Sequence, residues 1–364
     1  MKIIKKRTII AMMITLGAAM LFTPVATQAK SKSKEIAITK KNFPNKKLRN
    51  SVRKKFDKDK NGKLSPKEIR KATKFTTKLT NENLNVKTNL KGISYLKYLK
   101  KLEIKGVDTV KNGVELGKLR RLEILHLNNS NYVLGKIDAT CFYHLKQLKE
   151  LSFNEINVTN ANKINKMKNL EKFEWLYVIK DLNRTGKYNK KSFSLKGFQS
   201  RDKLKKLILK NVKINQISEL KHFKRLEELR LYNNKIKKID VSKNAKLVVL
   251  SIVDNSISEC NVDNNVNLRG LWLENTMLAS LSMKNRNLCS INLLNDNKLM
   301  DVEIENCNQL KVISVDSKKL QKFKMTNVPN MERFTILAKE TLPSIEYPML
   351  DKVVHFSADL RASI

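Results

Sequence analysis

The sequence predicts an elongated α/β solenoid, a horseshoe with a parallel β-sheet on its concave side, preceded by a small helical cap. Three observations carry this. Apolar pairs recur through most of the chain, 20 to 22 residues apart in its regular part, whereas helical arrays repeat at roughly 33 to 47 residues. The two apolar residues of each pair flank a third that is polar in most copies, as in a short half-buried strand. Ahead of the first pair, a loop dense in side-chain oxygens sits between two segments of helical periodicity.

Residues 1–29 open with Lys2, Lys5, Lys6 and Arg7, run apolar from Thr8 to about Phe22, and end in Thr27, Gln28 and Ala29 after the helix-breaking Pro24. This is the pattern of a secretory signal peptide; the run is shorter than the roughly 20 residues needed to span a bilayer. Once it is removed, no membrane-spanning helix is expected. Residues 30–42 read as a Lys/Ser linker. A secreted, extracellular or cell-wall-associated location follows.

The cap is expected over residues 43–89. Phe43 to Phe56 reads as a helix with Leu48, Val52 and Phe56 on one face. The loop Asp57-Lys-Asp59-Lys-Asn61-Gly62-Lys63-Leu64-Ser65-Pro-Lys-Glu68 follows. Its oxygens fall at loop positions 1, 3, 5, 9 and 12, Gly62 permits the turn at position 6, and Lys63 offers a backbone carbonyl. Asp57, Asp59, Asn61, Lys63, Ser65 and Glu68 are therefore the candidate calcium ligands of an EF-hand. An exiting helix would carry Ile69, Ala72 and Phe75 on one face. Only three carboxylates contribute, the surroundings are rich in lysine and no second loop pairs with this one, so a weak structural site of roughly 10⁻⁴ to 10⁻³ M is expected.

The repeats should occupy residues 90–364, with Leu90, Ile93, Tyr95 or Leu96 closing the first turn. The clearest copy runs from Phe223 to Leu247. In Leu226-x-x-Leu229-x-Leu231-x-x-Asn234 the last two leucines point to one side of a strand. Asn234 turns the chain, and its amide can bond backbone groups left unpaired inside. Ile236, Ile239 and Val241 return along the opposite wall. Aligned on Leu229, the other copies start at Leu102, Leu125, Leu151, Phe173, Leu207, Leu250, Leu271, Ile291, Ile313 and Phe334. The period is that of leucine-rich repeats, roughly 20 to 29 residues.

Two intervals are long. Between Leu125 and Leu151, Cys141, Phe142 and Leu145 are spaced as on a helical turn of the convex wall. Between Phe173 and Leu207 the surplus falls in Tyr177 to Ser200, a basic stretch with Tyr188, Phe193 and Phe198, which reads either as a binding insertion or as a tolerated surface loop. From Leu226 onward a second alternating segment predicts strands on the convex wall at Ile239–Val241, Cys260–Val262, Leu281–Met283, Val302–Ile304 and Phe323–Met325. A last strand is expected near Val353 to Phe356. Cys141, Cys260, Cys289 and Cys307 lack the spacing of a zinc site and read mostly as buried thiols.

The formal charge is +40, from 74 Lys and Arg against 34 Asp and Glu. Such an excess attracts anionic polymers. The basic residues scatter along every repeat without interleaved aromatics, which reads as a solvated surface. Nucleic acid is not the expected partner of an exported chain. Neither a Gly-rich phosphate loop nor a nucleophile or metalloprotease motif occurs, and His126, His144, His222 and His355 are isolated, so an enzyme is not expected.

These residues resemble the secreted leucine-rich repeat proteins of Gram-positive bacteria, a group that includes the internalins. The resemblance spans roughly Phe43 to Phe356, from NFPNKKLRNSVRKKFDKDKNGKLSPKEI into repeats of similar period. It implies a curved scaffold that binds a protein or glycan ligand on its concave sheet. The residue between each apolar pair faces that side. Arg230, Tyr232, Ser251, Val253, Trp272 and Glu274 come together there, an aromatic and arginine cluster of the kind that marks binding hot spots. The alternative is a structural protein held to anionic cell-wall polymers by charge, since no wall-sorting motif follows the repeats.

Overall fold

A computed structural model describes residues 34–80, 87–129, 135–177, 193–338, 343–347 and 355–360. The signal peptide and the insertion's centre, with Gly186 and Tyr188, lie outside the described residues. Glu35–Ile364 is one compact unit. Its spine is a 13-stranded parallel sheet whose strands follow chain order from Lys74–Lys78 to His355–Leu360. Each turn therefore pairs only with its neighbours. The register matches the sequence alignment: Leu207 lies opposite Leu229, Leu229 opposite Leu250, and Leu250 opposite Leu271. These leucines and their partners Leu231, Ile252 and Leu273 are fully buried, each contributing about 1.5–3 kcal/mol by leaving water. No helix among the described residues is long and apolar enough to cross a membrane.

Just after five consecutive concave strands, from Lys206–Lys210 to Ser290–Leu294, the chain turns through a residue of positive φ. Asn211, Asn233, Asp254, Asn275 and Asn295 hold this position at φ between 45° and 58°, which Asn and Asp tolerate better than most side chains. The next residue points inward. Asn234 donates from Nδ2 to the Leu209 and Tyr232 carbonyls at 3.0 and 2.9 Å, and Asn255 repeats this with Leu231 and Val253 at 3.0 and 2.8 Å. The following rungs are Thr276, Asp296 and Ser317, none of them a carboxamide. Asp296 accepts from the Thr276 backbone and hydroxyl at 2.6 and 2.8 Å, while its other oxygen is buried without a hydrogen-bond partner. Burial, with Glu274 and Asp316 nearby, pushes its carboxyl up to about 6.

Several expectations are corrected. The second cap helix is only Pro66–Lys71, and Phe75 lies in strand Lys74–Lys78, opposite Leu102. The β-branched Thr76 and Thr77 favour the strand, and Thr77 takes a buried leucine position by donating its hydroxyl to Ser51 at 2.9 Å. The first sheet strand thus comes from within residues 43–89. The first cap helix starts at Lys46, capped by Asn45, with Leu48, Val52 and Phe56 buried as expected.

On the convex wall, strands form at Ser280–Met283, Asp301–Glu305 and Lys322–Thr326, and a further one at Ser344–Glu346 joins them. Ile239–Val241 and Cys260–Val262 are not strands. There the Ser242 and Asp263 amides donate to the Asp240 and Asn261 side chains at 2.9 and 3.0 Å, a local bond that competes with sheet pairing. Around Cys141 and Phe142 the wall is a short 3-10 helix, Ala139–Phe142. Phe193 and Phe198, from the long interval, are core residues: their rings lie 5.8 and 5.7 Å from Phe173 and Phe223 respectively. The last strand is His355–Leu360.

Candidate binding face and candidate metal loop

The concave sheet changes character along its length. Its amino-terminal half carries an ionic ladder that climbs from strand to strand. His126 meets Glu150 at 2.8 Å, Lys206 bridges Glu174 and Glu228 at 3.1 and 3.2 Å, and Arg230 closes on Glu228 at 2.5 Å. Burial works against the Glu228 charge, but Arg230 and Lys206 outweigh it and hold the carboxyl below its ordinary range. Past Arg230 the next four concave strands lack cations. Strands Val249–Val253, Gly270–Glu274, Ser290–Leu294 and Val312–Ser317 contain neither Lys nor Arg, in a chain where these number 74.

The predicted cluster sits at this boundary, and the register assembles it. Arg230, Ser251 and Trp272 lie side by side on adjacent strands, as do Tyr232, Val253 and Glu274. Ser251 is small and buried, so the Arg230 guanidinium reaches across it to lie 5.9 Å from the Trp272 ring centre, within cation–π range. Tyr232 Oη accepts from Arg230 Nη1 at 3.4 Å and from the Ser251 hydroxyl at 3.5 Å. Arg230, Tyr232, Val253, Trp272 and Glu274 are all half-buried, with polar and aromatic surface left open to the concavity. One member was missed from sequence. A Cβ on Gly270 would lie 2.2 and 2.3 Å from Trp272 Cζ3 and Cη2, so the indole lies flat over this glycine. A glycine two residues before an outward aromatic on the same strand was the available signal.

The cap loop is closed by bonds among its own side chains and amides. Asp57 Oδ2 accepts from the Gly62 amide at 3.0 Å, and Gly62 has φ +79°. Asp59 accepts from the Asn61 amide at 3.2 Å, and Asn61 Oδ1 from Lys63 at 2.8 Å. Glu68 accepts from the Lys58 amide at 2.6 Å and from both the amide and hydroxyl of Ser65 at 2.8 Å. Burial opposes the Glu68 charge, yet these bonds prevail and lower its pKa. One ligand oxygen from each of Asp57, Asp59 and Glu68 can lie within 4.8 Å of the others. The second Asp57 oxygen is buried with no hydrogen-bond partner. That orphan fits a cation in the loop. In place of a second loop, Ile36–Ala37 pairs antiparallel with Lys63–Leu64.

The class these features define is the leucine-rich repeat solenoid, and one solved structure with a TM-score above 0.5 agrees. An internalin from Listeria monocytogenes superposes with a TM-score of 0.61 at 16% identity, covering 90% of this chain and 98% of that one. A second, internalin C2 from the same organism, covers 79% and 100% at a TM-score of 0.44 and 19% identity. At such identities the likeness shows the fold alone. No protein-family profile matches the chain, and no curated protein does.

Proposed function

We propose that this protein is a non-enzymatic, exported binding scaffold whose protein or glycan ligand docks on the concave face around Arg230, Tyr232, Ser251, Val253, Trp272 and Glu274. The observation that carries the reading is the half-buried Trp272, seated on Gly270 and faced by Arg230, at the edge of a lysine-free window. Aromatic and arginine anchors on partly desolvated ground supply most of the energy of many interfaces. Capture of wall-extract and host glycoprotein fractions on immobilised wild type and on Trp272→Ala with Tyr232→Ala tests it. The double variant should lose the captured ligand; equal capture by both would overturn the site.

The cap loop is proposed to hold calcium through Asp57, Asp59, Asn61, Ser65, Glu68 and the Lys63 carbonyl, stabilising the amino-terminal end. A second reading, favoured by the charge of +40, is that the chain is retained at an anionic wall polymer. Retention on purified walls should then vanish near 1 M salt, where the screening length falls to about 3 Å.

A further inference from the structure

The basic residues look scattered along the sequence because they recur with its period, and a solenoid turns a period into a column. The residues just before the leucine that leads into each concave strand form one edge of the molecule. Arg120, Lys146, Lys168, Lys224, Arg225 and Lys246 occupy that edge on five turns, all exposed, and the turn between Lys168 and Lys224 carries the exposed Arg201, Asp202 and Lys203 there. None takes part in an ion pair among the described residues, unlike Lys100 and Lys149, which share Glu123. Adjacent strands are about 4.8 Å apart, so the column is a line of positive charge, interrupted at Asp202 but flanked there by Arg201 and Lys203. It then thins. From the next turn the same edge carries Asn267, Asn287, Gln309 and Asn330, with Arg286 the one cation beside them, and Asn267, Asn287 and Asn330 donate to carbonyls of the preceding turn at 2.8, 2.5 and 2.7 Å.

We infer that this edge, from Arg120 to Lys246, is a docking rail for an extended polymer with a phosphodiester backbone and no bases. The inference rests on the reading that the chain is held by an anionic polymer, and it assigns that role to one surface. A line of charge fits a linear polyanion, whose bound counterions are released on contact. Nucleic acid fits less well, because single-strand binders also offer open aromatic faces for base stacking. Of the tyrosines near this edge, Tyr98 is half-buried, with the Arg121 guanidinium 4.5 Å from its ring centre, and Tyr143 is exposed, with Lys146 Nζ 4.4 Å from its ring centre; one open ring is not the series of faces that successive bases stack on. The rail is also separate from the concave cluster, so both ligands can bind together.

The test titrates the whole protein with poly(glycerol phosphate) of defined length and with single-stranded DNA of equal phosphate number, over a range of salt. An edge variant changes Arg120, Lys146, Lys168, Lys224, Arg225 and Lys246 to Gln. A charge-matched control changes the exposed Lys40, Lys41, Lys237, Lys238, Lys318 and Lys319 to Gln. For the edge variant, the slope of log K against log salt should fall by about 4, at about 0.7 per lost contact, and affinity at 0.15 M salt by at least about tenfold. The control should stay near wild type. Failure of the wild type to bind poly(glycerol phosphate) overturns the anionic-polymer reading itself. Equal loss in both variants leaves that reading standing and overturns the rail. Tighter binding of the DNA at equal charge overturns the partner's class.

Discussion

Asp296 occupies a rung where Asn234 and Asn255 each donate two hydrogen bonds, yet an ionised carboxylate has nothing to donate. Its folded pKa, about 6, lies above the unfolded value near 3.8. The folded state therefore binds the proton more tightly, and stability is greatest at low pH and falls as pH rises through 6. The shift corresponds to about 3 kcal/mol. Asp296→Asn should restore the donor and remove this dependence, so urea unfolding at pH 7.5 should show a gain of that order that shrinks toward pH 4.5. Glu274 and Asp316 are the charged groups acting on Asp296, and both remain in the variant. At Asn255 the same logic runs the other way: Asn255→Ala strands the Leu231 and Val253 carbonyls and should cost about 2–4 kcal/mol by thermal or urea unfolding. Gly270→Ala should dislodge the Trp272 indole with little loss of stability. Trp175 is buried and donates to the Ile156 carbonyl at 3.0 Å, so a changed emission reports on Trp272.

At the scale of elements, the cap is where calcium is proposed to act. Without a cation, the carboxylates of Asp57, Asp59 and Glu68 repel one another. If the loop binds it as proposed, millimolar calcium at a site of roughly 10⁻⁴ M would add about 1.4 kcal/mol to the folded cap. Hydrogen exchange between about Leu48 and Ile104 should slow with calcium in the wild type and be indifferent to it in Asp57→Ala with Glu68→Ala. The concave strands were legible residue by residue, because Leu229 and its counterparts repeat with one period and a one-residue slip would put every leucine in water. The Arg230–Trp272 pair was legible for the same reason, since register alone brings it together. Strand Lys74–Lys78 was not, because Ile69, Ala72 and Phe75 fit a helix as well as a bend into a strand, and Thr77 disguises a buried position. The convex strands at Ile239 and Cys260 were overread because alternation is blind to side-chain bonds such as that of Asp240. The Phe193 and Phe198 rings looked like surface because they sit in a surplus stretch, yet they fill the core beside Phe173.

At the scale of the molecule, charge and topology decide behaviour. A formal charge of +40 repels itself in the compact state. Screening should raise the melting temperature by several degrees between roughly 10 and 150 mM salt, measured by calorimetry on the wild type. The stacked turns touch only their neighbours, so they can also separate singly. Pulled by its two ends, such a chain should release one turn of 20 to 22 residues per event, about 70 Å at roughly 3.4 Å per residue. The change of side chain at Thr276 and Asp296, where carboxamide rungs give way to groups that cannot clasp both neighbouring carbonyls, then becomes a mechanical joint. Tension should open the stack there before it reaches the turns held by Asn234 and Asn255, leaving the amino-terminal block folded around its charged rail while the rest extends as a tether.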